Sequence, residues 1–274
     1  MSEKFQHKKS LGQHFLNSDV VPKWLCEAGD VKAGDLVLEI GPGTGALTKE
    51  LLARGTTVHA IETDKRAIET LQQTFSEELS SGKLFIHHGD MRELDGETVA
   101  KICDFRHLQY KIIANIPYYL SGFLFRTCLD SKIQPNTLVF LVQKEVAERI
   151  ARTEKSSLLS MSVAVFGEPK YIKTVKRGHF TPPPAVDSAI ITVSNISQDK
   201  LSGLTSENFF TILKIGYGQK RKQLLGNLSA KYKREELSNI FEEVNIPLNT
   251  RAEDLDLSSW IKLIHKLSTV NIKK

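Results

Sequence analysis

The chain has 274 residues, 41% of them hydrophobic and 25% charged, a globular composition that excludes wholesale disorder, collagen-like repeats and coiled coil. At roughly 150 residues per domain, this length suggests two domains, or one large domain with an appendage. Its 37 Lys and Arg against 32 Asp and Glu leave a net charge of +5, mild enough that the placement of charge matters more than the sum.

The elements read in chain order as follows. Residues 1–9 carry no apolar signal core, so no secretory leader is expected. Leu36-Val37-Leu38-Glu39-Ile40 reads as a buried strand ending in glycines, and residues 46–54 as a helix closed by Gly55. Residues 57–61 form a second strand and 65–79 a second helix. Short apolar runs at 84–87 and 111–114 predict further strands. A helix over 121–129, a strand over 137–142 and a helix from 145 to 151 follow. Strands separated by helical patterns predict an α/β fold with a doubly wound parallel sheet. Residues 171–175 and 188–193 have no long helix between them, which predicts an antiparallel pair at the sheet edge. Beyond about residue 195 the pattern becomes helical, with Phe209, Phe210, Leu213, Leu224, Leu228, Leu237, Phe241, Trp260 and Leu263 at helical spacing. Two domains are therefore expected, 1–195 and 196–274. No window approaches the ~18 apolar residues of a membrane span.

The turn Gly41-Pro42-Gly43-Thr44-Gly45 joins the first of these strands to its helix. In open parallel sheets, ligands bind outside the carboxyl ends of the strands. Glu62 ends the next strand, 21 residues after Gly41, where its carboxylate can accept from ribose hydroxyls. Asp90 follows a third strand, placed to meet an adenine amino group. The loop reads GxGxG, with Pro42 inside and the acidic Glu39 before it, rather than the GxGxxG of a dinucleotide site. A pyrophosphate prefers a free helix N-terminus. S-adenosylmethionine carries no phosphate, and it is the expected cofactor; an NAD-dependent dehydrogenase is disfavoured.

Asn115-Ile116-Pro117-Tyr118-Tyr119 follows the strand at 111–114 and so shares the rim. These residue types suit methylation of adenine N6, whose lone pair is delocalised into the ring. Two acceptors aimed at its protons, the Asn115 side-chain oxygen and the Pro117 carbonyl, would free that lone pair. Tyr118 offers a ring for stacking an extruded base, worth ~1–3 kcal/mol. Phe180 precedes Thr181-Pro182-Pro183-Pro184, a stiff run. It is either the second plate of the base sandwich or a buried residue in a rigid connection.

Lys214, Lys220, Arg221, Lys222, Lys231, Lys233 and Arg234 fall in a window without Asp or Glu. Lys4, Lys8 and Lys9 precede the first domain, and Lys170, Lys173, Lys176 and Arg177 precede Phe180. Such patches attract phosphate backbones. A nucleic-acid-binding module, with methylation incidental, is the alternative they leave open. His87-His88 has no evident third ligand, and Cys26, Cys103 and Cys128 form no CxxC pair, so no metal is expected and a reduced, cytoplasmic setting is.

Taken together, Leu11-Gly12-Gln13-His14-Phe15-Leu16, the glycine loop, Glu62, Asp90, Asn115-Ile116-Pro117-Tyr118, Gln143-Lys144-Glu145, the Phe180 to Ser188 stretch and Gly218-Gln219-Lys220-Arg221-Lys222 resemble the small-subunit ribosomal RNA adenine N6,N6-dimethyltransferases over nearly the whole chain. The resemblance implies a Rossmann-like class I methyltransferase sheet with a small helical RNA-binding domain. It implies cofactor contacts at His14, Leu16, Gly41, Gly43, Glu62, Asp90 and Asn115, and adenine held by Asn115, Pro117, Tyr118 and Phe180. RNA contacts are expected at Lys8, Lys9, Lys220, Arg221 and Lys222. The implied substrate is a pair of adjacent adenines in a hairpin loop near the 3′ end of 16S ribosomal RNA in the assembling small subunit, and loss of the bacterial activity gives kasugamycin resistance. The related enzymes that methylate 23S RNA are the nearest rival. His14 stands where many members have Asn, and residues 152–159 are short for the family. A monomer suffices for all of this.

Overall fold

The computed structural model describes residues 14–93, 96–105 and 109–270. Lys4, Lys8, Lys9 and residues 10–13 lie outside them. The described chain forms two compact units, one built from the residues up to Glu148 with Glu168–Ile196, the other from Arg149–Gly167 with the residues from Ser197 onward.

The first unit opens with β1 (Phe15–Leu16) and α1 (Val20–Ala28). It continues through β2 (Leu36–Ile40), α2 (Ala46–Ala53), β3 (Thr57–Glu62), α3 (Lys65–Thr74), α4 (Ser76–Ser80), β4 (Leu84–His88), α5 (Gly96–Ile102), β5 (Lys111–Asn115), α6 (Ser121–Leu129) and β6 (Thr137–Gln143). The chain passes along α7 (Lys144–Ala151) and α8 (Leu158–Ala164) and returns as β7 (Glu168–Val175), β8 (Phe180–Thr181) and β9 (Ser188–Ser194). A seven-stranded sheet runs in the order β4-β3-β2-β5-β6-β9-β7. The first five strands are parallel, β9 is antiparallel to both β6 and β7, and a bulge lies between Tyr171 and Lys173. The expected antiparallel edge pair is thus present. Val37, Val58, Ile113, Val139 and Leu141 are almost wholly buried with Val21 and Leu25 of α1, which is why these strands read as continuous apolar runs.

The helix predicted over 65–79 breaks at Phe75, whose backbone leaves the helical region (φ −118°, ψ 38°). The ring is buried there against Gly45, where an added Cβ would fall 2.6 Å from Phe75 Cε2. Tertiary packing against the glycine loop therefore overrides local helix propensity.

The second unit departs from the expected division at 195/196, because residues 149–167 join it. The apolar side chains of Val163 and Phe166 are buried, and the Phe166 ring lies 6.0 Å from that of Phe210. Ser156 bonds to the Tyr217 hydroxyl at 2.5 Å and donates to the Leu255 carbonyl at 3.0 Å. Four further helices complete the unit: α9 (Ser206–Gly216), α10 (Leu224–Leu228), α11 (Arg234–Glu243) and α12 (Leu257–Ser268). They close around Phe209, Leu213, Leu228, Phe241 and Trp260, all fully buried. The Asn227 amide donates to the carbonyls of Gly216 at 2.6 Å and Gln219 at 3.1 Å. It thereby satisfies free carbonyls at the end of α9 and fixes the turn that exposes Lys220, Arg221 and Lys222.

Candidate active site

Adjacent parallel strands β4, β3, β2 and β5 bring their carboxyl ends to one rim. The glycine loop after β2, Glu62 at the end of β3, Asp90 after β4 and the Asn115 to Leu120 segment from the end of β5 line one cavity, with His14, Phe15 and Leu16. The sheet topology thus gathers residues from five separate stretches of sequence at one place.

The glycine loop is held from two sides. Gly41 N–H donates to Ile61 O and Gly45 N–H to Pro42 O, both at 2.9 Å. Gly43 has φ +57°, and a Cβ there would meet Phe15 Cε1 at 2.8 Å, so both backbone conformation and the approach of β1 require glycine. Its N–H donates to Glu62 Oε2 at 3.1 Å.

Glu62 is 4% exposed. Its Oε1 accepts from the backbone N–H groups of Thr63 at 2.8 Å and Asp64 at 2.9 Å. A carboxylate offers about four acceptor positions, so Oε2, with one contact, retains capacity for a ribose hydroxyl. Asp90 is engaged by its own loop. Arg92 donates from its backbone N–H at 2.9 Å and from Nε at 3.0 Å to Oδ1, and Nη2 reaches Oδ2. That side-chain contact holds the Asp90 carboxyl below the usual carboxylate range. Arg92 carries little signal in the sequence beyond being a basic residue two places after the acid.

Asn115 Nδ2 donates to the His14 carbonyl at 3.2 Å. The amide is thereby oriented, and its Oδ1 has no partner among the described residues. The Pro117 carbonyl already accepts from Leu120 N–H at 3.0 Å, leaving its second lone pair. Tyr118 is half-buried, its hydroxyl 2.6 Å from Ser188 Oγ. One face of its ring is covered by His14 (centroids 5.6 Å apart, planes 26° apart), and His14 Nδ1 donates to the Pro182 carbonyl at 2.8 Å. The proline run therefore positions His14, and through it both Asn115 and Tyr118.

Phe180 does not take the place expected of a stacking plate. It is 2% exposed in the core cluster, pairs with Leu16 across the β1–β8 ladder and does not line the cavity. Its burial anchors β1 over the glycine loop, and in this arrangement the second face of a base sandwich is not supplied by Phe180.

Glu39 lines the cavity at 1% exposure and accepts from the Thr48 hydroxyl at 2.7 Å. Burial, with the nearby Glu62 charge, pushes its carboxyl up to about 8 against the Thr48 hydrogen bond. The folded state thus holds a proton that the unfolded chain releases near pH 4.5, and stability falls as pH rises through that window to about 8. Glu39→Gln is expected to flatten this decline, which amounts to at most about 1.4 kcal/mol per pH unit. Denaturant titrations of both proteins between pH 5 and 8 measure it; parallel curves would show that Glu39 ionises normally.

The ionisable lining residues are acidic apart from the tyrosines, His14 and the Asp90-bound Arg92, and with Glu39 held neutral by burial, Glu62 supplies the carboxylate that no cation pairs. This polarity is unsuited to a pyrophosphate. It fits a nucleoside that carries a sulfonium and an ammonium group. The basic residues before Phe180 are partly committed: Lys176 pairs with Asp187 at 2.9 Å, and the Lys173 ammonium sits 4.0 Å over the Trp24 ring. Lys220, Arg221 and Lys222, in the second unit, are exposed and make no ion pair among the described residues.

Comparison with known proteins agrees with this geometry. Residues 4–269 match the family model of the ribosomal RNA adenine dimethylases. Ribosomal RNA small subunit methyltransferase A of Dehalococcoides mccartyi strain CBDB1 is 36% identical over 259 residues, 93% of this chain and 87% of that one. The protein of the same name from Fusobacterium nucleatum is 34% identical, with 95% and 97% covered. Among solved structures, a dimethyladenosine transferase from Plasmodium falciparum superposes with a TM-score of 0.76 at 25% identity, covering 93% of this chain and 98% of that one. The 23S rRNA methyltransferase ErmE superposes with a TM-score of 0.70 at 21% identity over 93% of this chain and 100% of that one, a likeness of fold.

Proposed function

The chain belongs to the ribosomal RNA adenine dimethylase family, and from that premise we propose that it dimethylates N6 of two adjacent adenines in a hairpin loop near the 3′ end of 16S ribosomal RNA, within assembling small subunits in the cytoplasm. It is an S-adenosylmethionine-dependent enzyme of that family, and when bound the cofactor supplies an electrophilic methyl group on a sulfonium. Glu62 Oε2 would accept from the ribose, the glycine loop and Leu16 would enclose the nucleoside, and Asp90 would take the adenine amino group in place of Arg92.

The observation that carries the reading is the oriented amide of Asn115. With Nδ2 committed to the His14 carbonyl, Oδ1 is left to accept a proton of the target N6, and the second lone pair of the Pro117 carbonyl takes the other. Both acceptors favour a more pyramidal nitrogen whose lone pair is free to attack. Tyr118 stacks on the extruded base with the face that His14 leaves open. The contribution of this chain is positioning and electrostatics, worth ~7–11 kcal/mol at best. The proton lost from N6 after alkylation passes to water. The turn bearing Lys220, Arg221 and Lys222 binds RNA phosphates in a salt-dependent way.

The test is transfer of labelled methyl groups to small subunits lacking these modifications, followed by nucleoside analysis and primer extension on both large RNAs. N6,N6-dimethyladenosine at two adjacent 16S positions is the expected result. A product on 23S RNA alone would overturn the proposal.

A further inference from the structure

Away from the cavity, the fold assembles a group of side chains that the sequence scatters. In the sequence His87 stands next to His88 with no third ligand evident. Parallel pairing places His59 of β3 opposite Phe85 of β4, and Ile61 opposite His87. Directly paired residues share a face of the sheet, as do residues two apart on one strand, so His59, Phe85 and His87 lie together while His88 turns away. His59 Nδ1 and His87 Nε2 are 3.1 Å apart. Cys103, just after α5 and 3% exposed, completes the group: its Sγ and the two imidazole nitrogens all lie within 4.8 Å of one another.

We propose that His59, His87 and Cys103 form a binding site for one borderline-soft divalent metal ion of the zinc class, distinct from the methyl-transfer cavity. Zinc binds imidazole nitrogen at about 2.0–2.1 Å and thiolate at about 2.3 Å. Tetrahedral angles then set the two nitrogens about 3.3 Å apart and each nitrogen about 3.5 Å from sulfur. The nitrogens already stand near that separation, and Cys103 Sγ closes the rest with a movement of about 1 Å. Two imidazoles and one thiol are the donor set such ions prefer over magnesium or calcium. Three protein ligands leave the fourth position to water.

The surroundings suit the role. His59 is flanked by Phe85 (centroids 4.6 Å) and Phe105 (5.0 Å), which limits water at the donors. Burial holds both imidazoles below the ordinary histidine range, so each offers a neutral ring. The proton now shared between the rings moves to the far nitrogen of its own imidazole, and the Cys103 thiol releases one proton to solvent as the metal–sulfur bond forms. Because β4 is the edge strand, the bound ion would tie that edge to the segment after α5.

The experiment is a titration of the full chain, stripped with chelator and kept reduced, with Co²⁺ followed by absorption. One saturating equivalent is expected, with a thiolate-to-cobalt charge-transfer band in the near ultraviolet and the visible bands of a tetrahedral ion. Cys103→Ser removes the near-ultraviolet band, and His87→Ala weakens binding by roughly 10-fold or more; Cys26→Ser, a buried thiol outside the group, changes neither. Zn²⁺ raises the thermal midpoint of the parent and not of Cys103→Ser. Absence of saturable binding in the parent, binding without the charge-transfer band, or a band that survives Cys103→Ser would each overturn the proposal. None of these readings depends on methyl transfer.

Discussion

Asn115→Ala is expected to lower the rate of methyl transfer by roughly 10²–10³-fold, the range seen when one preorganised polar group is removed from a reacting centre. The substitution deletes the Oδ1 acceptor and also the Nδ2 contact to the His14 carbonyl. Two consequences separate these effects. Loss of the acceptor lowers kcat, because N6 is then activated by the Pro117 carbonyl alone. Loss of the His14 contact loosens the segment that leads into β1 and raises the KM for cofactor modestly. RNA affinity is expected to stay within about 2-fold, since Lys220, Arg221 and Lys222 belong to the other compact unit and phosphate contacts supply most of the binding. Single-turnover kinetics on unmethylated small subunits, with a filter-binding assay in parallel, read both quantities. A kcat within 5-fold of the parent would remove Asn115 from the chemistry, and the binding-module alternative would then gain ground.

Much of this architecture was legible in the sequence because a parallel sheet buries both faces of its strands. Val37, Leu38, Ile112, Ile113, Val139 and Phe140 are apolar without alternation for that reason, and glycines or acids follow where the strands end. The site was legible because its residues sit at those ends, in short motifs. What escaped were features set by contacts distant in sequence. Phe75 breaks a helix because Gly45 leaves room for its ring. Residues 149–167 join the second unit because Phe166 meets Phe210 and Ser156 meets Tyr217. The sequence leaves two readings of Phe180 open, and its burial depends on pairing with the distant Leu16. His59, His87 and Cys103 come from β3, β4 and the turn after α5, and no spacing rule joins them.

Two buried glutamates line the same cavity and are expected to respond very unequally to the same change. Glu62 is surrounded by donors: the N–H groups of Gly43, Thr63 and Asp64 all point at its carboxylate. In Glu62→Gln the amide oxygen can replace Oε1 against Thr63 and Asp64. The amide nitrogen then faces Gly43 N–H, donor against donor. A hydrogen bond to a charged acceptor contributes about 1.5–3 kcal/mol, and its loss frees the glycine loop on the side where the cofactor lies. The variant is expected to bind S-adenosylmethionine roughly 100-fold more weakly, equivalent to about 2.7 kcal/mol. Glu39→Gln meets the opposite situation. Its carboxyl is already neutral near pH 7, with a pKa pushed up to about 8 by burial, and the Thr48 hydroxyl donates to it as readily as to an amide oxygen. Cofactor affinity in that variant is expected to stay within about 3-fold. Calorimetric titration of both variants with S-adenosylmethionine at pH 7 makes the comparison. Equal losses in the two would mean that burial of a polar group, rather than the donor ring around Glu62, holds the glycine loop in place.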